Sequence, residues 1–258
     1  MLVGGETPKD FEIIRYGECD STNTRAREYA KRLALTGEAR NAVFIAERQS
    51  AGRGRRGRSF LSERGGIYVS FLFFAEEKPL EITGITARAA VISARAIDGF
   101  CGTRCEIKWV NDLYLNGRKI AGILTEGEFD ENGNLRYFIV GMGINVYKIE
   151  GFEQIMPIAT TLEDEIKSKP DKEKLCSLLI EKIGGELMAE SARSEMLSEY
   201  RERCNLLGRR VEVTRGDERY EAKALEVLDD YSLLVELDSG EKRILNSGEV
   251  SAKRSAEA

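Results

Sequence analysis

Four arginines and three glycines fill the seven positions of the stretch GRGRRGR, from Gly52 to Arg58. Guanidinium groups are planar forks that bind phosphate or carboxylate through paired hydrogen bonds, so this density suits a polyanion. Gly52, Gly54 and Gly57 also fit the dinucleotide pattern G-x-G-x-x-G. Gly52 to Ser59 nearly fits the P-loop, with Arg58 where lysine belongs. Both patterns require a helix whose N-terminus holds the phosphate. Here Gly57 is followed by RSFLSERGG and then a strand pattern, so neither applies. What remains is a long glycine-hinged loop. It reads either as a solvated basic surface or as a clamp for phosphate or carboxylate, nucleic acid included.

A second constellation surrounds Asn116-Gly117, a strong two-residue hairpin signal. Such a turn pairs Leu115 with Arg118, Tyr114 with Lys119 and Asp112 with Ala121. It sets Asp112, Tyr114, Lys119 and Ala121 on one face. Asp112 and Lys119 become diagonal neighbours about 7–8 Å apart. That gap admits a ligand group or a metal between carboxylate and ammonium. The plainer alternative is a cross-strand ion pair.

Composition narrows the chemistry. The 258 residues contain no histidine, which excludes Ser-His-Asp and Cys-His catalysis and any His-ligated metal. Cys19, Cys101, Cys105, Cys176 and Cys204 form no C-x-x-C and read as free thiols of a reducing cytosol. A net charge of −5 makes the arginine run a local feature and argues against a general nucleic-acid binder. The opening MLVGGETPKD has neither a basic n-region nor an apolar run. No signal peptide, membrane span or lipidation is expected, and the location expected is cytoplasmic.

Several elements must position these groups. FEIIRY (11–16), AVFIAE (42–47), GIYVSFLFF (66–74), CEIKW (105–109) and LRYFIVGMGINV (135–146) read as strands. STNTRAREYAKRLALTG reads as a helix that Ser21 or Thr22 could cap and Gly37 ends, with Ala26, Tyr29, Ala30 and Leu33 as its apolar stripe. Residues 82–100 form a small-residue helix suited to close packing. A helical pattern runs from Lys172 to Arg203 with a break expected at Gly184-Gly185. After Gly208 the sequence alternates polar and apolar residues, with turns at Gly216-Asp217, Asp229-Asp230 and Ser239-Gly240. That pattern predicts a small antiparallel barrel or sandwich.

Together these segments resemble the biotin–protein ligase (biotin–[acetyl-CoA-carboxylase] ligase) family. The family's GRGRRGRxW is here GRGRRGRSF (52–60), its KWPNDL is KWVNDL (108–113), and its KxAGIL is KIAGIL (119–124). Its GxGIN is GMGIN (141–145), and its STN is Ser21, Thr22 and Asn23. Order and spacing agree from about residue 10 to 251. Two positions depart from the pattern: Phe60 stands for tryptophan and Val110 for proline. With the first strand starting near Phe11, the form expected is the one without an N-terminal DNA-binding domain, hence with no specific DNA partner.

The resemblance implies an α+β fold. A mixed or antiparallel sheet with packed helices, like the class II synthetases, would span 1–205, and an SH3-like β domain 206–258. It implies an ATP- and Mg²⁺-dependent ligase that forms biotinyl-5'-AMP and transfers biotin to a lysine of a biotin carboxyl carrier domain. It admits a homodimer. Carried over residue by residue, Ser21, Thr22, Asn23 and Gln49 bind the biotin ring. Gly52, Arg53, Gly54 and Arg55 cover biotin and its adenylate. Lys119 binds the reacting carboxylate, with Lys119, Arg55 and Asp112 as the catalytic set. Arg58, Asn111, Asp112 and Asn145 face the nucleotide, and Asp112 is a weak Mg²⁺ ligand. Lys108 receives no role, and Trp109 reads either as stacking near the nucleotide or as core. The rivals are a lipoate or octanoate ligase, a ligase-like protein that holds biotin without transferring it, and a nucleic-acid-binding module built on the arginine loop.

Overall fold

The computed structural model describes residues 11–74, 82–149, 158–189 and 193–252. The opening decapeptide, the ends of the two expected domains and residues 190–192 of the expected long helix lie outside these. Seven strands form one sheet: β1 (Glu12–Tyr16), β2 (Ala42–Ala46), β3 (Gly66–Phe74), β4 (Glu106–Lys108), β5 (Asp112–Leu115), β6 (Arg118–Phe129) and β7 (Leu135–Asn145). Their spatial order is β1-β2-β3-β7-β6-β5-β4. Only β1 and β2 pair in parallel, so the sheet is mixed.

Helix α1 (Thr22–Thr36) covers one face of this sheet. Its stripe of Ala26, Tyr29, Ala30 and Leu33 packs on Phe44, Leu72, Tyr137 and Ile139. Ser21 sits at the N-cap without a side-chain capping bond, and Gly37 closes the helix in the left-handed conformation at φ 73°. Helix α2 (Ile82–Cys101) lies on the other face. Its small residues are buried on nearly every side between Ile85 and Ile97, as a helix sandwiched between layers must be. Helix α3 (Leu162–Ile166), which the sequence reading missed, starts at a Thr161 cap whose side chain accepts from Asp164 N–H. Helices α4 (Lys172–Glu186) and α5 (Arg193–Arg203) back α2. The break expected at Gly184-Gly185 does not occur, because α4 runs through both glycines to Glu186. Burial of Leu175, Leu179, Ile180 and Ile183 outweighs a glycine cost of about 1 kcal/mol each.

The C-terminal strands are β8 (Arg210–Arg215), β9 (Glu218–Val227), β10 (Leu233–Glu236), β11 (Lys242–Leu245) and β12 (Glu249–Ala252). They form a five-stranded antiparallel sheet in the order β11-β10-β9-β8-β12, with turns where the sequence placed them. The architecture is α+β, with a C-terminal sheet domain of SH3-like kind. Its apolar residues Val211, Val213, Ala224, Val235 and Val250 are continuous with the core under the large sheet.

One register differs from expectation. Leu115 faces Arg118 and Tyr114 faces Lys119, but a bulge then sets Leu113 opposite Ala121 and Asp112 opposite Gly122. Ile120 is the extra residue. The bulge turns Ala121 into the core and gives the Asp112 face to Gly122.

Candidate active site

Direct cross-strand neighbours share a face, and one row of them crosses the whole sheet. It reads Tyr16, Ala46, Tyr68, Gly143, Gly122, Asp112, Lys108 from β1 to β4. The next row on that face reads Phe44, Ser70, Gly141, Leu124. Three adjoining glycines thus replace the side chains that would fill the middle of the face. A methyl group on Gly141 would overlap Asn23 Oδ1, and one on Gly143 would overlap the Phe60 ring. At Gly122 it would press on Lys119 Nζ from 3.3 Å. The result is a glycine-floored trough of about 270 Å³ between the start of α1, the arginine loop and the C-terminal sheet.

One end of the trough is polar but uncharged. Thr22 N–H donates to Gln49 Oε1 at 2.8 Å, and Gln49 Nε2 donates to Ser62 Oγ at 2.9 Å. Ser70, fully buried, lies with its hydroxyl 2.7 Å from Thr22 Oγ1 and 2.6 Å from Asn23 Oδ1. The Asn23 amide donates to Glu126 Oε2 at 2.7 Å, which fixes its orientation. Ser21, Thr22 and Asn23 are each under 5% exposed. Ser21 makes no side-chain capping bond and lines the trough.

The other end is charged. Lys119 Nζ meets Asp112 Oδ2 at 2.8 Å, so the gap expected between them is closed by a direct ion pair. The long lysine stem bridges what backbone spacing alone leaves open. Asp112 Oδ1 stays buried without a partner. A short strand-like segment holds the Lys119 backbone: Lys119 N–H donates to Ile158 O at 3.0 Å, and Thr160 N–H donates to Lys119 O at 2.8 Å. Arg55 reaches in to donate to Asn111 Oδ1 at 3.0 Å, and burial pushes its pKa down. Lys108 donates to Ser251 Oγ at 3.0 Å, and its pKa too is lowered by burial, against Asp112 and Glu249 nearby. Burial raises the Tyr114 phenol to about 12, keeping it protonated.

The arginine loop is ordered rather than splayed. Arg53 and Ser59 form an isolated bridge, Gly54 N–H donates to Arg58 O at 2.7 Å, and a 3₁₀ turn spans Arg55–Gly57. No α-helix follows Gly57, which agrees with rejection of both nucleotide patterns. Arg56 (φ 56°) and Gly57 (φ 73°) turn the tip through the left-handed region, where glycine is at no disadvantage. Arg53 pairs with Glu126 at 3.4 Å, Arg56 donates to Thr214 O at 3.0 Å, and Arg58 pairs with Glu249. The loop is therefore a roof pinned at one side to the large sheet and at the other to the C-terminal domain.

Most predicted site residues converge on this trough: Ser21, Thr22, Asn23, Gln49, Arg53, Gly54, Arg55, Arg58, Asn111, Asp112 and Lys119 all line it. Gly52 and Asn145 do not. Gly52 is buried under the loop, where a methyl would overlap Phe60 O and Ser62 Oγ. Asn145 is buried with its amide donating to Thr160 O at 3.2 Å, so it braces the segment beside Lys119. Trp109 is both wall and core: it is 2% exposed, and its indole N–H donates to Tyr231 O at 2.9 Å. Val110 is buried, and the Trp109–Val110 peptide is cis. Phe60 keeps an aromatic plug over Gly143 and meets Tyr68 edge-on at 6.5 Å. The sequence reading missed Ser70, Glu126, Glu249, Ser251 and the floor glycines. Of these only Gly141 and Gly143 had a signal, their alternate spacing in GMG.

Among the described residues no three Asp, Glu or Cys side chains gather to hold a metal. The donor set fits Mg²⁺ only as an ion that arrives on phosphate oxygens and takes one carboxylate, Asp112, from the protein.

Residues 16–145 match the model of the biotin/lipoate A/B protein ligase family, and residues 206–253 match that of the biotin protein ligase C-terminal domain. The bifunctional ligase/repressor BirA of Escherichia coli (strain K12) is 31% identical over 216 residues, covering 83% of this chain and 66% of that protein. The chain thus spans about two thirds of that relative's length. The biotin--[acetyl-CoA-carboxylase] ligase of Mycobacterium tuberculosis is 28% identical, covering 83% of this chain and 78% of that one. Among solved structures, biotin protein ligase from Aquifex aeolicus in complex with biotin and ATP superposes with a TM-score of 0.74 at 26% identity, covering 96% of this chain and 100% of that one.

Proposed function

The chain belongs to the biotin/lipoate A/B protein ligase family, and on that premise we propose that it activates biotin with ATP as biotinyl-5'-AMP. We further propose that it transfers the biotinyl group to a lysine of a biotin carboxyl carrier domain. One observation carries this reading: a single glycine-floored trough joins an uncharged hydrogen-bonding end to a cationic end beneath an arginine roof. A ureido ring needs neutral donors and acceptors, which Ser21, Thr22, Asn23 and Gln49 supply around Ser70. A lipoyl dithiolane offers no donor or acceptor to these groups, whereas a ureido ring can exchange hydrogen bonds with them, which favours biotin over the lipoate reading.

In the first step the biotin carboxylate attacks the α-phosphorus. One oxygen–phosphorus bond forms, the bond to the β-phosphate breaks, and pyrophosphate leaves with the electron pair. Lys119 sits where the two anions meet and offsets their repulsion. Arg55, anchored by Asn111, stabilises the equatorial charge, with Arg58 beside the phosphates. Asp112 Oδ1, the oxygen that Lys119 leaves free, would hold Mg²⁺, which neutralises charge on the departing pyrophosphate. In the second step the acceptor amine gives up a proton to Asp112 and attacks the acyl carbon, and AMP leaves. Arg53, Gly54 and Arg55 roof the adenylate between the two steps.

We assign 1–205 to the catalytic domain, 206–258 to the small β domain, and the location to the cytoplasm. Among the described residues no helix is long and apolar enough to cross a membrane. The nucleic-acid reading is disfavoured because Arg53 and Arg58, though exposed, are each already paired with a carboxylate, Glu126 and Glu249. Incubation with ATP, Mg²⁺, biotin and a carrier domain, followed by intact mass, tests the proposal. Carrier gaining one biotinyl group supports it. Pyrophosphate exchange that depends on lipoate instead of biotin overturns it.

A further inference from the structure

The hydrogen bonds behind the neutral end of the trough run in one direction, and a charged residue that does not line the trough sets it. Glu126 on β6 has Oε1 2.6 Å from Arg27 Nη2 and Oε2 2.7 Å from Asn23 Nδ2. A carboxylate only accepts, so the Asn23 amide turns its NH2 to Glu126 and its oxygen to Ser70. Leu124 O, 3.4 Å from the same nitrogen, favours the same orientation. Asn23 Oδ1 cannot donate, so its 2.6 Å contact takes the single hydroxyl proton of Ser70. The 2.7 Å contact between Ser70 and Thr22 then needs the proton of Thr22. Thr22 has no second hydroxyl proton, so none lies between its oxygen and Gln49 Oε1, 3.1 Å away. Gln49 keeps that oxygen in place, because Oε1 accepts from Thr22 N–H and Nε2 donates to Ser62. Thr22, Asn23 and Ser70 are each under 5% exposed, too buried for bulk water to reverse the chain. The chain therefore ends in two adjoining acceptor oxygens, Thr22 Oγ1 and Gln49 Oε1, on residues that line the trough.

Resting on the ligase reading above, we propose that Glu126 is a remote specificity-determining residue. Its carboxylate polarises the chain Asn23–Ser70–Thr22 so that the neutral end accepts, and the group it selects is a ring N–H of a cyclic urea. Glu126 is a positioning residue, acting through Asn23 rather than on the substrate. An amide in its place reverses the chain. In Glu126→Gln the amide oxygen stays with Arg27, the nearer cation, and the NH2 faces Asn23. Arg53, 3.4 Å from the other carboxylate oxygen and more exposed than Arg27, can swing aside. Asn23 then flips and Ser70 donates to Thr22. The freed Thr22 proton falls on Gln49 Oε1 or on a ligand acceptor, and the end loses its preference for a donor.

The test is calorimetric titration of the full chain with biotin and with two cyclic carbamate analogues, in which oxygen replaces one or the other ring N–H. Wild type should bind at least one analogue about a hundredfold more weakly than biotin, because two acceptors then face an acceptor. In Glu126→Gln biotin should weaken by about tenfold and that analogue should not, so the ratio narrows to about tenfold. Glu126→Asp keeps the charge, and Arg27→Met removes an ion pair but leaves the carboxylate. Both should keep the wild-type ratio. In biotin-dependent pyrophosphate exchange Glu126→Gln should raise the KM for biotin and leave kcat unchanged. A merely structural Glu126 would weaken biotin and both analogues by one common factor, and an unchanged ratio overturns the proposal. Wild type that binds both analogues as tightly as biotin overturns it too. If Glu126→Gln does not fold, Ser70→Ala decides, because it frees the Thr22 proton from the same chain: a narrowed ratio supports the proposal and an unchanged one overturns it. The two readings fail separately. Wild type that catalyses biotin-dependent exchange, with a ratio insensitive to Glu126, sinks only this proposal. Wild type that binds biotin with a Glu126-dependent ratio but catalyses no exchange supports the polarised chain and sinks the ligase reading.

Discussion

At the scale of single residues the trough makes two sharp demands. The first falls on Lys119, whose ammonium is set by Asp112 on one side and by backbone bonds to Ile158 and Thr160 on the other. Loss of one such preorganised contact costs about 3–4 kcal/mol of transition-state stabilisation, or about 10²–10³ in rate. Lys119→Ala should keep its fold and lose biotin-dependent pyrophosphate exchange on that scale. Lys119→Arg should recover only part, because a broad fork cannot replace a point charge in a narrow slot. A Lys119→Ala rate within about threefold of wild type would match a mere surface pair and refute the role. The second demand falls on Gly141, where any side chain must displace Asn23 from its bonds to Ser70 and Glu126. Gly141→Ala should weaken biotin binding by about tenfold or more, the cost of unpairing one buried polar group, while pyrophosphate binding holds. Equal loss for both ligands would point to global damage instead.

At the scale of elements the arginine loop matters most. Its tip is fixed by Gly54 N–H to Arg58 O, and its outer arginines are tied to Thr214 and Glu249 of another domain. Arg55 alone turns inward, to Asn111. Arg55→Gly should leave adenylate able to form but quick to escape, since a roof residue mainly slows release. The readout is biotin on bystander lysines, which should rise above the wild-type level; no rise would remove the roof role. A second element-scale device joins α2 to α5. Arg203, with a side chain 3% exposed, binds Asp98 Oδ2 and Glu199 Oε1, each at 2.7 Å, and Cys105 O at 2.8 Å. Arg203→Met takes the buried cation away from Asp98 and leaves Glu199 to Arg95 alone, and should cost about 3 kcal/mol. Melting temperature should fall by about 10 °C. Because none of these residues lines the trough, biotin affinity below the transition should not change.

At the scale of the whole molecule the two sheets share one apolar core, so they should unfold together. The single tryptophan, Trp109, reports this directly, because its indole N–H is bonded to Tyr231 of the C-terminal domain. Tryptophan fluorescence and far-ultraviolet circular dichroism should give coincident melting curves, whereas separate transitions would mean independent domains. Acid should loosen the same assembly. Burial would raise the Glu199 carboxyl, but hydrogen bonds from Arg95 and Arg203 outweigh it and hold the group below its ordinary value of 4.5. Its stabilising contribution is therefore complete above that value and is lost as pH falls through the lower folded value. In Arg203→Met the acid limb of the stability curve should be shallower than in wild type, and parallel limbs would contradict this.

Much of this was legible in the sequence, because it rests on local rules. The Asn116-Gly117 turn, the stripe of α1 with its Gly37 stop, and the C-terminal strands between their turns follow from backbone preference and the period of apolar residues. The motif residues carried most of the site as well, since 11 of them meet in one trough although they come from distant segments. What the sequence could not decide were matters of register and packing. A one-residue bulge at Ile120 put Gly122 rather than Ala121 opposite Asp112, and no local preference specifies where a strand takes an extra residue. The reach of Lys119 across that register closed a gap into an ion pair. Helix α4 carried on through two glycines because the core beneath it outweighed their propensity. Asn145 and Gly52 fell outside the trough, while Glu249 and Ser251, more than a hundred positions away in the chain, came to its wall. Those placements depend on how one sheet docks on another, and docking is decided by buried surface summed over the whole fold, which no single segment of sequence contains.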